Sequence, residues 1–333
     1  MLNGNGAWVY AKETMKRSVC DMFGDCVDET PEPPCKKVYN ESWKADTPEH
    51  HWGIDFGAQV PKEHTEDNAD AFPVGPSITA SEYFTTHVAR TSDQCASEGD
   101  APQRSMEWKN ARRFAITASD FGAALGNNAY SSPDDLVRKK VWDTFKGNDA
   151  TQWGSTQESR AEEAFEAWAK ANIAEDAQLH TFNLTKFSDM PWIAVSPDGV
   201  LTYTKDGVIH ADLIEYKCPT KTQTEEHPYR QHPKSTPPYY RDQMMGMIHY
   251  INANGGLPLL GATRKLEVAW FVVWQPRTLW VVKHDIDDSE WTTRIFPGLR
   301  SFYFTKLLPA FVWFHNGLLK DGQIEPESSA LEL

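Results

Sequence analysis

The sequence predicts an α/β or α+β core, a central mixed β-sheet flanked by helices. Three observations carry that prediction. Apolar residues recur at helical spacing in "TQESRAEEAFEAWAKAN" and "PYYRDQMMGMIHYINANG". Apolar runs of strand length stand between and after them: "HADLIEYK", "KLEVAWFVVWQ" and "TLWVVKHDI". The runs follow the order helices, strands, helix, strands, helix, as layered mixed folds do.

Local chemistry justifies each element in turn. "ITASDFGAALG" reads as a short helix opened by Thr117 or Ser119, whose hydroxyls can cap exposed amides. "SSPDDLVRKKVWDTF" has Ser132 as N-cap, Pro133 at the first helical position and acids in the first turn. In the next helix Ala161, Ala164, Phe165 and Trp168 share one stripe. "DAQLHTFNL" and "WIAVS" read as strands. A Pro-rich loop over 219–238 precedes a helix that Gly255 ends. The two later apolar runs predict paired strands, and "FPGLRSFYFTKLLPAFVWFHNGL" a closing helical region. No internal repeat is visible.

The chain has 333 residues, enough for one large or two ordinary domains, and 40% hydrophobic with 24% charged residues marks it as globular. No stretch approaches the ~20 apolar residues of a membrane span, so no membrane partner is expected. The first residues show no basic segment followed by an apolar one, and no signal peptide is read there. Five cysteines do not form a secreted disulfide framework. The expectation is an intracellular protein, in the host nucleus or cytoplasm if the chain is viral.

Charge divides the chain. The net charge is −14. Residues 1–100 hold 8 Lys and Arg against 18 Asp and Glu, a net of −10, and the remainder hold 25 against 29, a net of −4. Nucleic acid is thus disfavoured as a partner of the first segment, and little is excluded for the second. Residues 1–103 read as an acidic, Pro-rich extension of unknown role without sustained periodicity, 104–320 as the folded domain and 321–333 as a polar tail. Cys20, Cys26 and Cys35, with His50 and His51 nearby, have spacings that match no standard zinc knuckle.

The chemistry concentrates in "VSPDGVLTYTKDGVIHADLIEYKCP", residues 195–219. Strand alternation puts Glu215 and Lys217 on one face and Ile214 and Tyr216 on the other. Asp198 is expected at the end of the preceding strand, "WIAVSPDG", after a proline that stops the ladder. Pairing of the two strands would bring Asp198 beside Glu215, and two close carboxylates repel unless a cation sits between them. Mg²⁺ takes oxygen ligands and keeps waters beside one or two carboxylates. Lys217 adds a charge that can orient or deprotonate a water, or stabilise charge developing on a phosphate. The bland alternative is a Glu–Lys pair on an exposed sheet face.

These residues resemble those of the YqaJ-type viral and phage recombinase nucleases, the lambda-exonuclease-like branch of the PD-(D/E)xK superfamily. "SPDG" followed by "EYKCP" matches the central motif. "RRFAITASDFGAALG" resembles the Arg-then-"ITAS" block, "WGSTQESRAEEAF" the helix that carries an acid, and "YYRDQMMGM" the late glutamine helix. The four blocks stand in the family's order across residues 104–315.

The resemblance implies a restriction-endonuclease-like core and a Mg²⁺-dependent 5′-to-3′ exodeoxyribonuclease, with Mn²⁺ as a substitute. Its substrate would be double-stranded DNA ends, in recombination or DNA processing. It further implies a homotrimer and a single-strand annealing protein as partner. Asp198 and Glu215 would bind the metal with the main-chain carbonyl of Tyr216, and Glu158 would add a ligand from its helix. Lys217 would act on the attacking water, Gln243 would position water or scissile phosphate, and Arg112 and Ser119 would hold a terminal 5′-phosphate. The second glutamine of the family is Met245 here, and the hairpin through "TYTKDGVIHAD" is longer than in the phage enzyme, which is expected to alter the loop but not the strand register.

Duller roles stay open. Glu158 can be a solvated acid, Arg112 with Arg113 surface charge, Gln243 a bridge between helices and Ser119 a helix cap. A flap or structure-specific endonuclease, and a non-catalytic DNA-end-binding protein, are the alternative functions. The loop 219–238, with Lys221, Arg230 and Lys234, is expected to face DNA, its histidines to be polar surface, and Cys218 to be a small buried side chain.

Overall fold

A computed structural model describes residues 77–101, 105–142, 149–219 and 226–327. Most of the acidic extension, with Cys20, Cys26, Cys35, His50 and His51, lies outside the described residues, as do Lys221 and the end of the tail. The described part of the extension corrects one expectation, because residues 77–101 are mainly helical. The turns Ala80–Tyr83 and Ser92–Gly99 each open on a reciprocal cap, Thr79 with Glu82 and Thr91 with Gln94. Such T-x-x-E/Q boxes satisfy two orphan amide groups at once and start a helix without a long apolar stripe.

Two compact units share the chain. The described residues of Gly147–Phe182 and Pro197–Asp288 form one, and those of Lys44–Lys146, Asn183–Ser196 and Ser289–Leu333 the other. The first is built on a five-stranded mixed sheet: β1 (Gln178–His180), β2 (Gly199–Lys205), β3 (Val208–Lys217), β4 (Val268–Gln275) and β5 (Thr278–Asp285), adjacent in that order. β3 and β4 run parallel and the other neighbours antiparallel. A parallel pair needs a crossover, and the helix α2, Pro238–Ala253, lies within it.

The helix α1, Asp149–Asn172, covers one face of this sheet. Ala161, Phe165 and Ala169 recur every four residues, are wholly buried, and pack with Leu201, Ile214, Tyr216, Val272 and Trp274. A stripe at that spacing faces one side of a helix. α2 packs against β3 and β4, and Met244, Met245, Met247 and Ile248 are wholly buried along it. Met245 is therefore core.

The long turn between Asp198 and Glu215 resolves into strand. β2 and β3 pair without a break from Gly199 opposite Ile214 to Lys205 opposite Val208, which leaves only Asp206 and Gly207 to turn. Both have positive φ, 52° and 76°, the requirement of a tight two-residue hairpin and the reason for "DG" there. The segment "TYTKDGVIHAD" is thus strand on either side of a two-residue loop.

In the second unit Ile116–Thr117 and Ile193–Ala194 form a short parallel pair. "WIAVS" is thus separate from β2, and Asp198 precedes β2 rather than ending the strand before it. A continuous helical run closes this unit. Within it Phe302, Tyr303, Leu307 and Phe311 are buried, and the Tyr303 hydroxyl donates to the Phe114 carbonyl at 2.8 Å.

Candidate active site

Asp198 and Glu215 meet because a proline stops the ladder. The β2–β3 pairing ends at Gly199 opposite Ile214. The next amide of β3 on that side, that of Tyr216, donates instead to Asp198 Oδ2 at 2.9 Å. A side-chain carboxylate thus takes the place of a main-chain carbonyl. The Tyr216 ring turns the other way, into the core against Phe165, as strand alternation requires.

Glu215 is 1% exposed. Its Oε1 accepts from Gln243 Nε2 at 2.7 Å and from the ammonium of Lys217. Its Oε2 is buried with no hydrogen-bond partner. Burial first, and the neighbouring Asp198 second, push the Glu215 carboxyl up to about 8. Asp198 is pushed up by burial too, against the pull of Lys217 and the Tyr216 amide. Lys217 is held protonated by Glu215 and Asp198 in spite of burial, and its ammonium lies 4.7 Å from the centre of the Tyr240 ring, a cation–π contact. The exposed Glu–Lys pair is excluded by this burial, and Gln243 reaches the carboxylate itself.

α1 brings acids to the same strand. Glu158 and Glu162 lie one helical turn apart and both bear electrostatically on Tyr216. Glu162 is half-buried, and its carboxyl is raised by burial and then by Asp198. Sequence reasoning missed Glu162, although its spacing of four from Glu158 in "QESRAEEAF" was a visible sign that both share a face. Among the described residues, no group of three or more His, Cys, Asp or Glu is gathered to hold a metal ion. The donor set that fits one is the pair Asp198 and Glu215, two oxygen-bearing side chains with an orphaned Oε2. That suits a hard divalent cation that completes its shell with water.

Arg112 and Ser119 stand in the second unit. Arg112 lies in the last turn of the helix Met106–Arg113, its guanidinium 3.8 Å above the Trp108 ring. Arg113 is exposed, over Phe114. Thr117, not Ser119, caps the following turn: its amide donates to Asp120 Oδ2 at 3.1 Å and its hydroxyl to the same atom at 2.5 Å. Ser119 is left exposed, its Oγ 3.2 Å from that of Thr117.

The loop histidines do not form one polar surface. His227 is buried against Trp280, and burial pushes its pKa down to about 4. Cys218 is half-buried beside the sheet core.

Comparison with known proteins agrees with the blocks read in the sequence. Residues 107–253 match the model of the YqaJ-like viral recombinase domain. No curated protein matches. Two solved structures of an alkaline exonuclease from Laribacter hongkongensis are similar to it. One is 20% identical with a TM-score of 0.45, and the other, in complex with dAMP, is 21% identical with a TM-score of 0.44. Each match covers 63% of this chain and 95% of the other. Among the described residues no helix is long and apolar enough to cross a membrane.

Proposed function

We propose that this chain is a Mg²⁺-dependent 5′-to-3′ exodeoxyribonuclease that degrades duplex DNA from its ends. The observation that carries the reading is the buried pair Asp198 and Glu215, with Lys217 and Gln243 bonded to one oxygen and the other left without a partner. The match of residues 107–253 to the YqaJ-like viral recombinase domain supports the same reaction class.

Asp198 and Glu215 would hold the ion, with the Tyr216 carbonyl and with Glu158 or Glu162 through water. A divalent ion there would supply Lewis-acid stabilisation of a phosphoryl oxygen. The chain's own residues do the rest. Lys217, protonated and aimed across Glu215, balances negative charge that grows on the phosphate. Gln243 fixes the Glu215 carboxylate, so that Oε2 keeps its direction. Arg112 and Ser119 would take the terminal 5′-phosphate, Arg112 through its forked donors. A trimeric ring and a single-strand annealing partner belong to the same reading.

Digestion of end-labelled linear duplex with Mg²⁺, then with EDTA, tests it. Linear DNA should shorten from its 5′ ends only with the metal, and covalently closed circles should persist. Cutting of circles would favour the endonuclease. Asp198→Ala and Glu215→Gln should each abolish cleavage in a folded chain; full activity in either variant removes the assignment.

A further inference from the structure

The loop that leads from Lys217 into α2 contains backbone strain that no hairpin explains. Lys234 and Ser235 have φ of 48° and 49° in succession. The other described non-glycine residues with positive φ, Asp206 and Leu260, each stand beside a glycine in a two-residue turn. Left-handed backbone suits glycine and asparagine, and it crowds the β-carbon of lysine and serine. Packing holds the strained pair in place. The Ser235 amide donates to the His232 carbonyl at 2.8 Å and the Thr236 amide to the Pro233 carbonyl at 3.1 Å. Ser235, Thr236 and His284, on β5, are all buried. The Thr236 hydroxyl donates to the Lys234 carbonyl at 3.1 Å and lies 2.9 Å from His284 Nε2. With that hydrogen committed to Lys234, His284 donates from Nε2, as a neutral imidazole can. Burial first, then Lys234 and Arg241, push the His284 pKa down to about 4.

What this arrangement fixes is the direction of one side chain, that of Lys234, which is exposed and has no ion pair among the described residues. Sheet register places it. Glu215 pairs with Phe271 and Phe271 with Val282, and His284 lies two residues beyond Val282 on the same face. Two strand spacings and one pleat repeat set His284 about 12 Å from Glu215. That is about three to four nucleotides at the ~3.4 Å rise of a DNA strand. Strain kept beside a catalytic pair trades stability for placement.

We propose that Lys234 is a contact for an internal phosphodiester of the strand being cut, presented by a strained turn that Thr236 and His284 hold. This rests on the nuclease reading above. Lys234 meets the DNA backbone away from its end, and Thr236 and His284 are positioning residues that act through it. A backbone phosphate carries one negative charge and no base identity, so the contact adds affinity without sequence preference.

The test is the affinity of the full chain for uncut blunt duplex, read by fluorescence anisotropy across a salt series in EDTA and in the Glu215→Gln background. Lys234→Asn removes the charge and suits left-handed backbone. It should weaken binding about eight-fold at about 0.1 M salt and flatten the slope of log K against log salt by about 0.9, the weight of one phosphate. Its urea midpoint should equal or exceed that of the parent chain, because strain is relieved. Lys234→Arg should keep the slope. Thr236→Val should weaken binding too, but add nothing on top of Lys234→Asn; where it does not fold, Lys234→Asn alone decides. Lys265→Gln, an exposed lysine six residues before Phe271, serves as the control and should leave the slope unchanged. An unchanged slope in Lys234→Asn, or an equal loss in Lys265→Gln, overturns the contact while the nuclease stands. A chain that binds no duplex overturns it as well. Cleavage of linear DNA by the wild-type chain decides the nuclease reading separately.

Discussion

Asp212→Asn should stabilise this protein, by an amount that depends on pH. Asp212 lies on β3, three residues before Glu215, and is wholly buried. Its Oδ2 accepts from Trp270 Nε1 at 2.8 Å, and its Oδ1 is buried without a partner. Burial raises its carboxyl from 3.8 to about 6, although the Trp270 hydrogen bond works the other way. That rise corresponds to about 3 kcal/mol. Between about pH 4 and pH 6 the folded chain retains a proton that the unfolded chain has lost, so stability falls as pH rises through that window. Above it the whole cost is present. Asparagine has no charge to bury and keeps an acceptor for Trp270. At about pH 7 the variant should therefore exceed the wild type by up to about 3 kcal/mol, with the gap closing near pH 4. Urea unfolding followed by tryptophan fluorescence across this range measures it. An advantage of the same size at both ends, or none at neutral pH, refutes the reasoning.

Two further expectations concern the sheet and its site. Phe165→Ala removes a wholly buried ring between α1 and the sheet and should cost about 3–5 kcal/mol, visible as a fall in the urea midpoint. Gln243→Ala removes a hydrogen bond to Glu215 and should slow single-turnover cleavage about 10- to 100-fold while DNA affinity, read by gel shift, holds. Affinity falling in step with rate would make Gln243 a binding residue instead.

Asp212 and Glu215 also show what one strand can and cannot reveal. Alternation alone places Glu215 with Lys217 and against Tyr216, because the period of a strand is set within a few residues. It says nothing of what a buried carboxylate meets. Asp212 finds a Trp270 side chain 58 positions on, and Glu215 finds Gln243 from a helix beyond a proline-rich loop. The resemblance to a family supplied Gln243 in advance; period and propensity could not have done so.

Helices, strands, the capped turn at Ser132 and the "DG" hairpin were all determined by the sequence, since each depends on neighbours within about four residues. The order of the motif blocks pointed to the YqaJ-like domain that residues 107–253 match. Packing alone decided that Asp198 replaces a ladder carbonyl and that Glu162 joins Glu158. It also held Lys234 in a left-handed turn through Thr236 and His284. Burial and electrostatic coupling arise between segments distant in sequence, and only the folded chain sets those distances.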